Sequence, residues 1–221
     1  MTQPIKTDDG SDSLFVPELN EHYHSTKGAI QESKHVYIEA GLNQIEKNAI
    51  AVFEVGFGTG LNALLTLNHA LKKNINIHYT SIERYPIPMD IAEKLNYAAL
   101  IDEQLHESFM QMHASDWDAE IKINGTFTLR KIQGDLINWQ PESMFDLIYF
   151  DAFGPDKQPE MWSEAIFSKL YKGTNHNGIL TTYSAKGTVR RTLQSVGFSV
   201  ERIPGPPGKN HITRAIRKEE K

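Results

Sequence analysis

The 221-residue chain contains no cysteine. Disulfides, thiolate zinc sites and a cysteine nucleophile are thereby excluded. No run of eighteen or more apolar residues occurs, so no membrane-spanning helix is expected. The opening stretch MTQPIKTDDGSDS is polar and acidic and lacks the apolar segment of a secretory signal. The cytoplasm is therefore the expected compartment. Several catalytic signatures are also missing. There is no H-E-x-x-H, no G-x-S-x-G elbow and no G-x-x-x-x-G-K-[ST]. The nine histidines follow no metal-ligand spacing, and no metal is expected.

What is present reads as one α/β domain with a small appendage. Apolar residues make up 39% of the chain, enough for a sizeable core. Residues 1–13 read as a disordered tail. Residues 14–45, with the alternating stretches LFVPEL and HVYIEA, read as an N-terminal β extension. Residues 46–217 form the main domain and 218–221 a tail. Strands are expected at 50–55, 77–82, 145–151 and 178–183. Helices are expected at 61–73, from Pro88 with a break to about His113, and at 161–171 and 186–196. Asn124-Gly125 marks a tight hairpin or a turn before a strand. Strands alternating with helices imply a mostly parallel, doubly wound sheet. The last two strands, 198–203 and 211–216, have no helix between them and imply an antiparallel hairpin at the sheet edge.

Charge is unevenly spread. Lys186 to Lys221 holds nine Lys/Arg against three Asp/Glu, on a chain of net charge −5. A basic C-terminal segment on an acidic body reads either as a phosphate-binding face or as a solvated surface.

The stretch AVFEVGFGTGLNALLTL carries the first chemical signal. Its glycines are Gly56, Gly58 and Gly60, so the spacing is G-x-G-x-G and not the G-x-G-x-x-G of dinucleotide folds. Glu54 stands two residues before the first glycine. A carboxylate there opposes a pyrophosphate and suits a cationic ligand such as S-adenosylmethionine. Glu83 ends the next strand, where a carboxylate can accept from ribose hydroxyls. Asp135 follows the strand after that. It could accept from an adenine amino group while Leu136 offers its backbone N–H.

The second signal is YFDAFGPDKQPEMW. Asp151 closes the most apolar strand, with Phe153 two residues on. An acid followed by an aromatic at this place is similar to the loop of amine N-methyltransferases. An alkylamine has a pKa of roughly 10 and must lose a proton before its lone pair can attack a methyl group. Asp151 is placed to bind and deprotonate it, and Phe153 to shelter it.

FEVGFGTGLN, IERYPI, GDL, YFDAFGPDKQPEMW and TYSAKGTVRRTLQSVGF together resemble the methyltransferase domain of the MnmC-type tRNA-modifying enzymes, in its stand-alone MnmD form. EHYHSTKGAIQESKHVYIEAGL resembles the lead-in of that family. The resemblance implies a class I, Rossmann-like fold that uses S-adenosyl-L-methionine. It implies methyl transfer to the amine of 5-aminomethyl-2-thiouridine at the tRNA wobble position. Asp151 and Phe153 take the catalytic positions. Glu54, Gly56, Gly58, Gly60, Glu83, Asp135, Leu136 and Asp151 take cofactor positions, with Phe57, Asn62 and Arg84 from the same segments. Lys186, Arg190, Arg191 and Lys209 are candidate tRNA contacts. A separate enzyme is expected to supply the aminomethyl precursor. Asn210 and His211 stand where the family has arginine and glutamate, which leaves two alternatives open. One is a methyltransferase acting on a small amine or a protein. The other is a cofactor-binding RNA module without turnover.

Overall fold

The strand that leads into Asp151 is buried from end to end, and the sheet is built outward from it. The computed structural model describes residues 3–219. Strands β1 (Gln3–Lys6), β2 (Asp12–Val16) and β3 (Glu21–His22) form a small antiparallel sheet, followed by helix α1 (Ala29–Ser33). Then come β4 (Ala49–Val55), α2 (Leu61–Lys73), β5 (Asn76–Glu83), α3 (Met89–Ala92), α4 (Tyr97–Ile101) and α5 (His106–Ala114). The rest of the chain holds β6 (Glu120–Lys122), β7 (Phe127–Gln133), β8 (Phe145–Phe150), α6 (Glu164–Lys172), β9 (Thr174–Thr182), α7 (Gly187–Ser195), β10 (Ser199–Pro204) and β11 (His211–Ile216).

The main sheet has eight strands in the order β10-β11-β9-β8-β4-β5-β7-β6. β7, β5, β4, β8 and β9 pair in parallel, and β6, β10 and β11 are antiparallel additions. The order reverses between β4 and β8, so their carboxyl ends open the crevice where ligands bind in such sheets. All six residues of FDLIYF are buried because helices cover both faces. One core joins α2 and α5 to the N-terminal segment through Val36, Tyr37, Leu64 and Phe109. The other joins α6 and α7 through Phe167, Leu170, Val189 and Leu193.

The helix ends follow local chemistry. α2 stops at Asn74, whose φ of 53° gives a left-handed cap, with Lys72 and Lys73 in the last turn facing the negative end of the dipole. Ser163 caps α6 by accepting from the Ile166 N–H. The Asn124-Gly125 turn joins β6 and β7 as an antiparallel pair, and the Asn124 side chain accepts from the Thr126 N–H at 2.8 Å.

Two expectations for the N-terminal segment fail. Residues 3–13 are not a disordered tail; they form β1, the β1–β2 turn and the start of β2. Their polarity is consumed internally. Asp9 accepts from the Thr7 hydroxyl at 2.8 Å, the Ser11 N–H at 3.0 Å and the Gln31 N–H at 3.0 Å. Asp12 and Asn96 exchange two hydrogen bonds of 2.9 and 3.0 Å, which tie this sheet to the loop before α4. HVYIEA is not a strand. Lys34–Glu39 continues α1 as wide π-type turns with Val36, Tyr37 and Ile38 all buried. Residues 1–2 and 220–221, which belong to the two expected tails, lie outside the described residues.

Candidate active site

A cleft of about 460 Å³ opens at the carboxyl edge of β4, β5, β7 and β8. Four loops form its floor and sides: 56–59, 83–85, 134–137 and 151–154. Six carboxylates (Glu21, Glu32, Glu83, Asp135, Asp151 and Glu160) line it against two basic side chains, Arg84 and Lys209. Such a lining favours a cation over a pyrophosphate.

The glycine turn is built for close approach. Gly56 has φ 91°, and a Cβ on it would stand 3.1 Å from the Asp151 carbonyl oxygen. Gly58 has φ 49°, and its Cβ would meet the Tyr23 ring at 3.0 Å. Left-handed backbone and tight contact both call for glycine there. The Gly58 N–H donates to Glu83 Oε2 at 3.0 Å and the Tyr85 N–H to Oε1 at 2.8 Å. These bonds fix the carboxylate at the cleft, where each oxygen retains a lone pair. Phe57 and Leu136 line the cleft with apolar surface. Asp135 is braced by the Ile137 N–H at 2.9 Å and by Arg84 at 3.0 Å.

Two expected cofactor residues do not reach the cleft lining. Gly60 starts α2 with φ 73°, and a Cβ on it would lie 2.8 Å from His113 Nε2. Its place is explained by the helix start and by packing. Glu54 is fully buried beneath the floor, where its Oε2 accepts from the Ser81 hydroxyl at 2.8 Å. Burial pushes its carboxyl up to about 8, with the neighbouring Asp151 adding to the rise and Ser81, Asn62 and Tyr79 opposing it. Glu54 Oε1 and Asn62 Oδ1 are buried acceptors without a partner.

Asn62 lines the cleft and links the floor to the reaction centre. Its amide donates to Asp151 Oδ2 at 2.8 Å. Asp151 follows β8 and faces the cleft. Burial pushes its carboxyl up to about 6, with Glu32 adding to the rise, while Tyr37, Asn62 and Lys209 pull the other way. The loop after it is pinned on both sides. The Tyr183 hydroxyl donates to the Ala152 carbonyl at 2.9 Å and the Trp162 indole to the Phe153 carbonyl at 2.8 Å. Phe153 meets Tyr23 edge to face at 5.2 Å.

Sequence reasoning assigned no role to Tyr23, His24, Glu32 or Tyr183, yet all four line the cleft. The first three come from the N-terminal segment, which closes one wall. His24 Nε2 is 2.8 Å from the Thr59 hydroxyl of the glycine turn, and burial lowers its pKa to about 4. Tyr183 sits in TYSAKG, inside one of the family-like stretches, but spacing alone gives it no partner.

The expected tRNA contacts separate into two groups. Lys186, Arg190 and Arg191 lie at the start and middle of α7, outside the cleft. Lys186 pairs with Asp156. Lys209 instead turns inward and lines the cleft. Much of the basic C-terminal segment is also spent internally. Arg214 pairs with Glu201 at 2.7 Å, and Arg217 donates to the Thr174 carbonyl at 2.6 Å. Asn210 and His211 do not line the cleft, and His211 Nδ1 lies 2.7 Å from the Arg202 guanidinium.

A family model described as S-adenosyl-L-methionine-dependent methyltransferase matches residues 96–218. The chain is 28% identical over 207 residues to the tRNA 5-methylaminomethyl-2-thiouridine biosynthesis bifunctional protein MnmC of Chromobacterium violaceum, covering 86% of this chain and 31% of that one. It is 29% identical over 231 residues to the protein of the same name from Cupriavidus metallidurans, covering 96% and 33%. The chain thus spans about a third of the length of these curated relatives. The crystal structure of MNMC2 from Aquifex Aeolicus superposes with a TM-score of 0.79 at 24% identity, covering all of this chain and 72% of that one.

Proposed function

The chain belongs to the S-adenosyl-L-methionine-dependent methyltransferases, and from that premise we propose that it methylates the primary amine of 5-aminomethyl-2-thiouridine at the wobble position of tRNA. The observation that carries this reading is Asp151. It is a cleft-facing carboxylate at the crossover of the sheet, held among apolar and aromatic walls.

The residues present fit the methyl donor. The cleft is acidic, the glycine turn leaves room for a ligand against the backbone, and Glu83 is fixed as a bidentate acceptor. The unpartnered Asn62 acceptor favours positive charge above the floor. In this reading Glu83 holds the ribose hydroxyls. Asp135 and Leu136 hold the adenine, and Asn62 lies toward the aminoacyl end. Glu54 acts from below through Asn62. S-adenosylmethionine supplies a methyl group on a sulfonium, open to a single in-line displacement.

The acceptor amine enters as an ammonium, because its pKa is roughly 10. Asp151 binds one of its N–H bonds and takes the proton, which passes on to solvent. With the donor held by Glu83, Asp135 and Asn62, the freed lone pair would take the methyl, the new N–C bond forming as the S–C bond breaks and leaves its electron pair on sulfur. Phe153 and Tyr23 shield the amine from water. Alignment by these fixed groups supplies much of the rate. Arg190 and Arg191 on α7, with Lys186, contact the RNA backbone outside the cleft. The names of the relatives support this reading of the acceptor, and a tRNA substrate agrees with the cytoplasm as the compartment. Among the described residues no helix is long and apolar enough to cross a membrane.

The test is mass analysis of the wobble nucleoside after incubating the protein with S-adenosylmethionine and tRNA carrying the free amine. Gain of one methyl on the amine is expected. Methylation of small amines with tRNA left untouched would support the small-amine alternative instead.

A further inference from the structure

Three segments distant in sequence meet at one ammonium. Lys209 belongs to the loop between β10 and β11, and its Nζ is ion-paired with Glu32 Oε1 and stands 4.1 Å from the centre of the Tyr183 ring. The Glu32 side chain is only 10% exposed and that of Lys209 28%. The second Glu32 oxygen accepts from the Ser25 N–H at 2.9 Å. The Tyr183 hydroxyl is committed to the Ala152 carbonyl, which fixes the ring face. Burying a carboxylate is costly unless a cation meets it, and an ammonium over an aromatic face gains further. A lysine that only touched an outer phosphate would need neither partner.

An ammonium carries three N–H bonds. The ion-paired Glu32 carboxylate lies toward one and the Tyr183 ring toward another. The third is left for the cleft, which Lys209 shares with Asp151 and Phe153. We propose that Lys209 reads the acceptor base: its remaining N–H donates to the carbonyl oxygen next to the aminomethyl group, while Asp151 takes the amine. The proposal rests on the acceptor being an aminomethylated uracil-type base, in which the 4-carbonyl neighbours the 5-substituent. Glu32 and Tyr183 then act as positioning residues for Lys209. A cation at this place also disfavours the charged form of the acceptor amine and favours the ionised form of Asp151. The charged and titratable groups facing Lys209 are Glu32, Asp151, Tyr183 and His24, with the Lys27 stem packed near Gly208 of the same loop. His24 is held neutral by burial, so it adds no competing charge.

The test compares the full chain with Lys209→Met, Lys209→Arg and Glu32→Gln. Three readouts are needed: affinity for S-adenosylhomocysteine, kcat and KM with tRNA bearing the free amine, and the pH profile of kcat/KM. Lys209→Met is expected to keep cofactor affinity within about twofold. It should lower kcat/KM on the order of tenfold to a hundredfold, the worth of a hydrogen bond from a charged donor. Its acid limb should move to higher pH. Lys209→Arg should restore the acid limb and only part of kcat/KM; Glu32→Gln should lose part of kcat/KM by loosening Lys209, with its acid limb moved to lower pH, because the Glu32 charge raises Asp151. Unchanged kcat/KM in Lys209→Met overturns the proposal and leaves the methyltransferase reading standing. So does a loss that tracks a falling melting temperature with an unshifted pH profile, since that marks a structural tether. Failure of the unaltered protein to methylate tRNA overturns the function itself.

Discussion

Asn62 stands between two carboxyls held far from their ordinary titration. Asp151 lies at about 6 and Glu54 at about 8, both raised chiefly by burial. For kcat/KM this places an acid limb near pH 6, where Asp151 takes up the proton it must leave free; a pH series on the ligand-free enzyme reads it. Asp151→Asn should reduce kcat roughly a hundredfold to ten-thousandfold, the usual worth of a general base, with S-adenosylhomocysteine affinity largely kept in calorimetry. For stability the sign runs the other way. A carboxyl whose folded pKa is raised stabilises the fold below its unfolded value and loses that contribution as pH rises through the folded one. The ligand-free protein should therefore lose stability between about pH 4.5 and pH 8 on account of Glu54. Glu54→Gln should flatten that slope, giving a higher melting temperature at pH 8 and little change at pH 4. Of the residues in the cleft, Glu83, Asp135 and Asp151 were legible because each follows a strand at a turn. Glu54 was legible as an acid and misplaced by one layer, since a strand pattern does not say which face of a two-sided sheet is floor. Glu32 and Tyr183 were not legible, because their partners come from elements more than a hundred residues away or across the sheet.

Elements that repeat a simple period were easy to read, and those held by side-chain networks were not. β4, α2 and β8 fall where apolar runs and the glycine turn place them. HVYIEA alternates over too few residues to separate a strand from a buried helix, and packing between α2 and β9 decides for the helix. The first thirteen residues look like tail because they are polar, yet the Asp9 and Asp12 networks use that polarity. Residues 21–26 and Glu32 of the same N-terminal region wall the cleft, so its core residues carry stability and function together. Tyr37 is 1% exposed and packs on Tyr149 at 5.0 Å. Tyr37→Ala should cost about 3–5 kcal/mol in urea denaturation, as large aromatic truncations do. Gly58→Ala should cost about 1–2 kcal/mol for its left-handed backbone and weaken cofactor binding by pushing Tyr23 away.

At the scale of the whole molecule, net charge is a poor guide to where RNA docks. The chain carries −5 overall, and its basic C-terminal segment is partly neutralised by Asp156, Glu201 and Glu32. Arg190 and Arg191 on α7, with Lys186 beside Asp156, are the proposed phosphate contacts. Binding of tRNA should weaken with salt, and Lys186→Gln with Arg191→Gln should lower the slope by about one for each phosphate that is no longer neutralised. Topology puts the start of α7 and the cleft at the same edge: the turn before α7 and the ends of β4 and β8 share the carboxyl edge. The central claim is a spatial one, that the transferable methyl and Asp151 meet across a gap the size of an amine. A crystal structure with S-adenosylmethionine tests it most directly. The ribose should rest on Glu83 and the methyl should point toward Asp151 beside Phe153. A donor bound with its methyl turned away from Asp151, or with no passage for a nitrogen between them, would contradict the account.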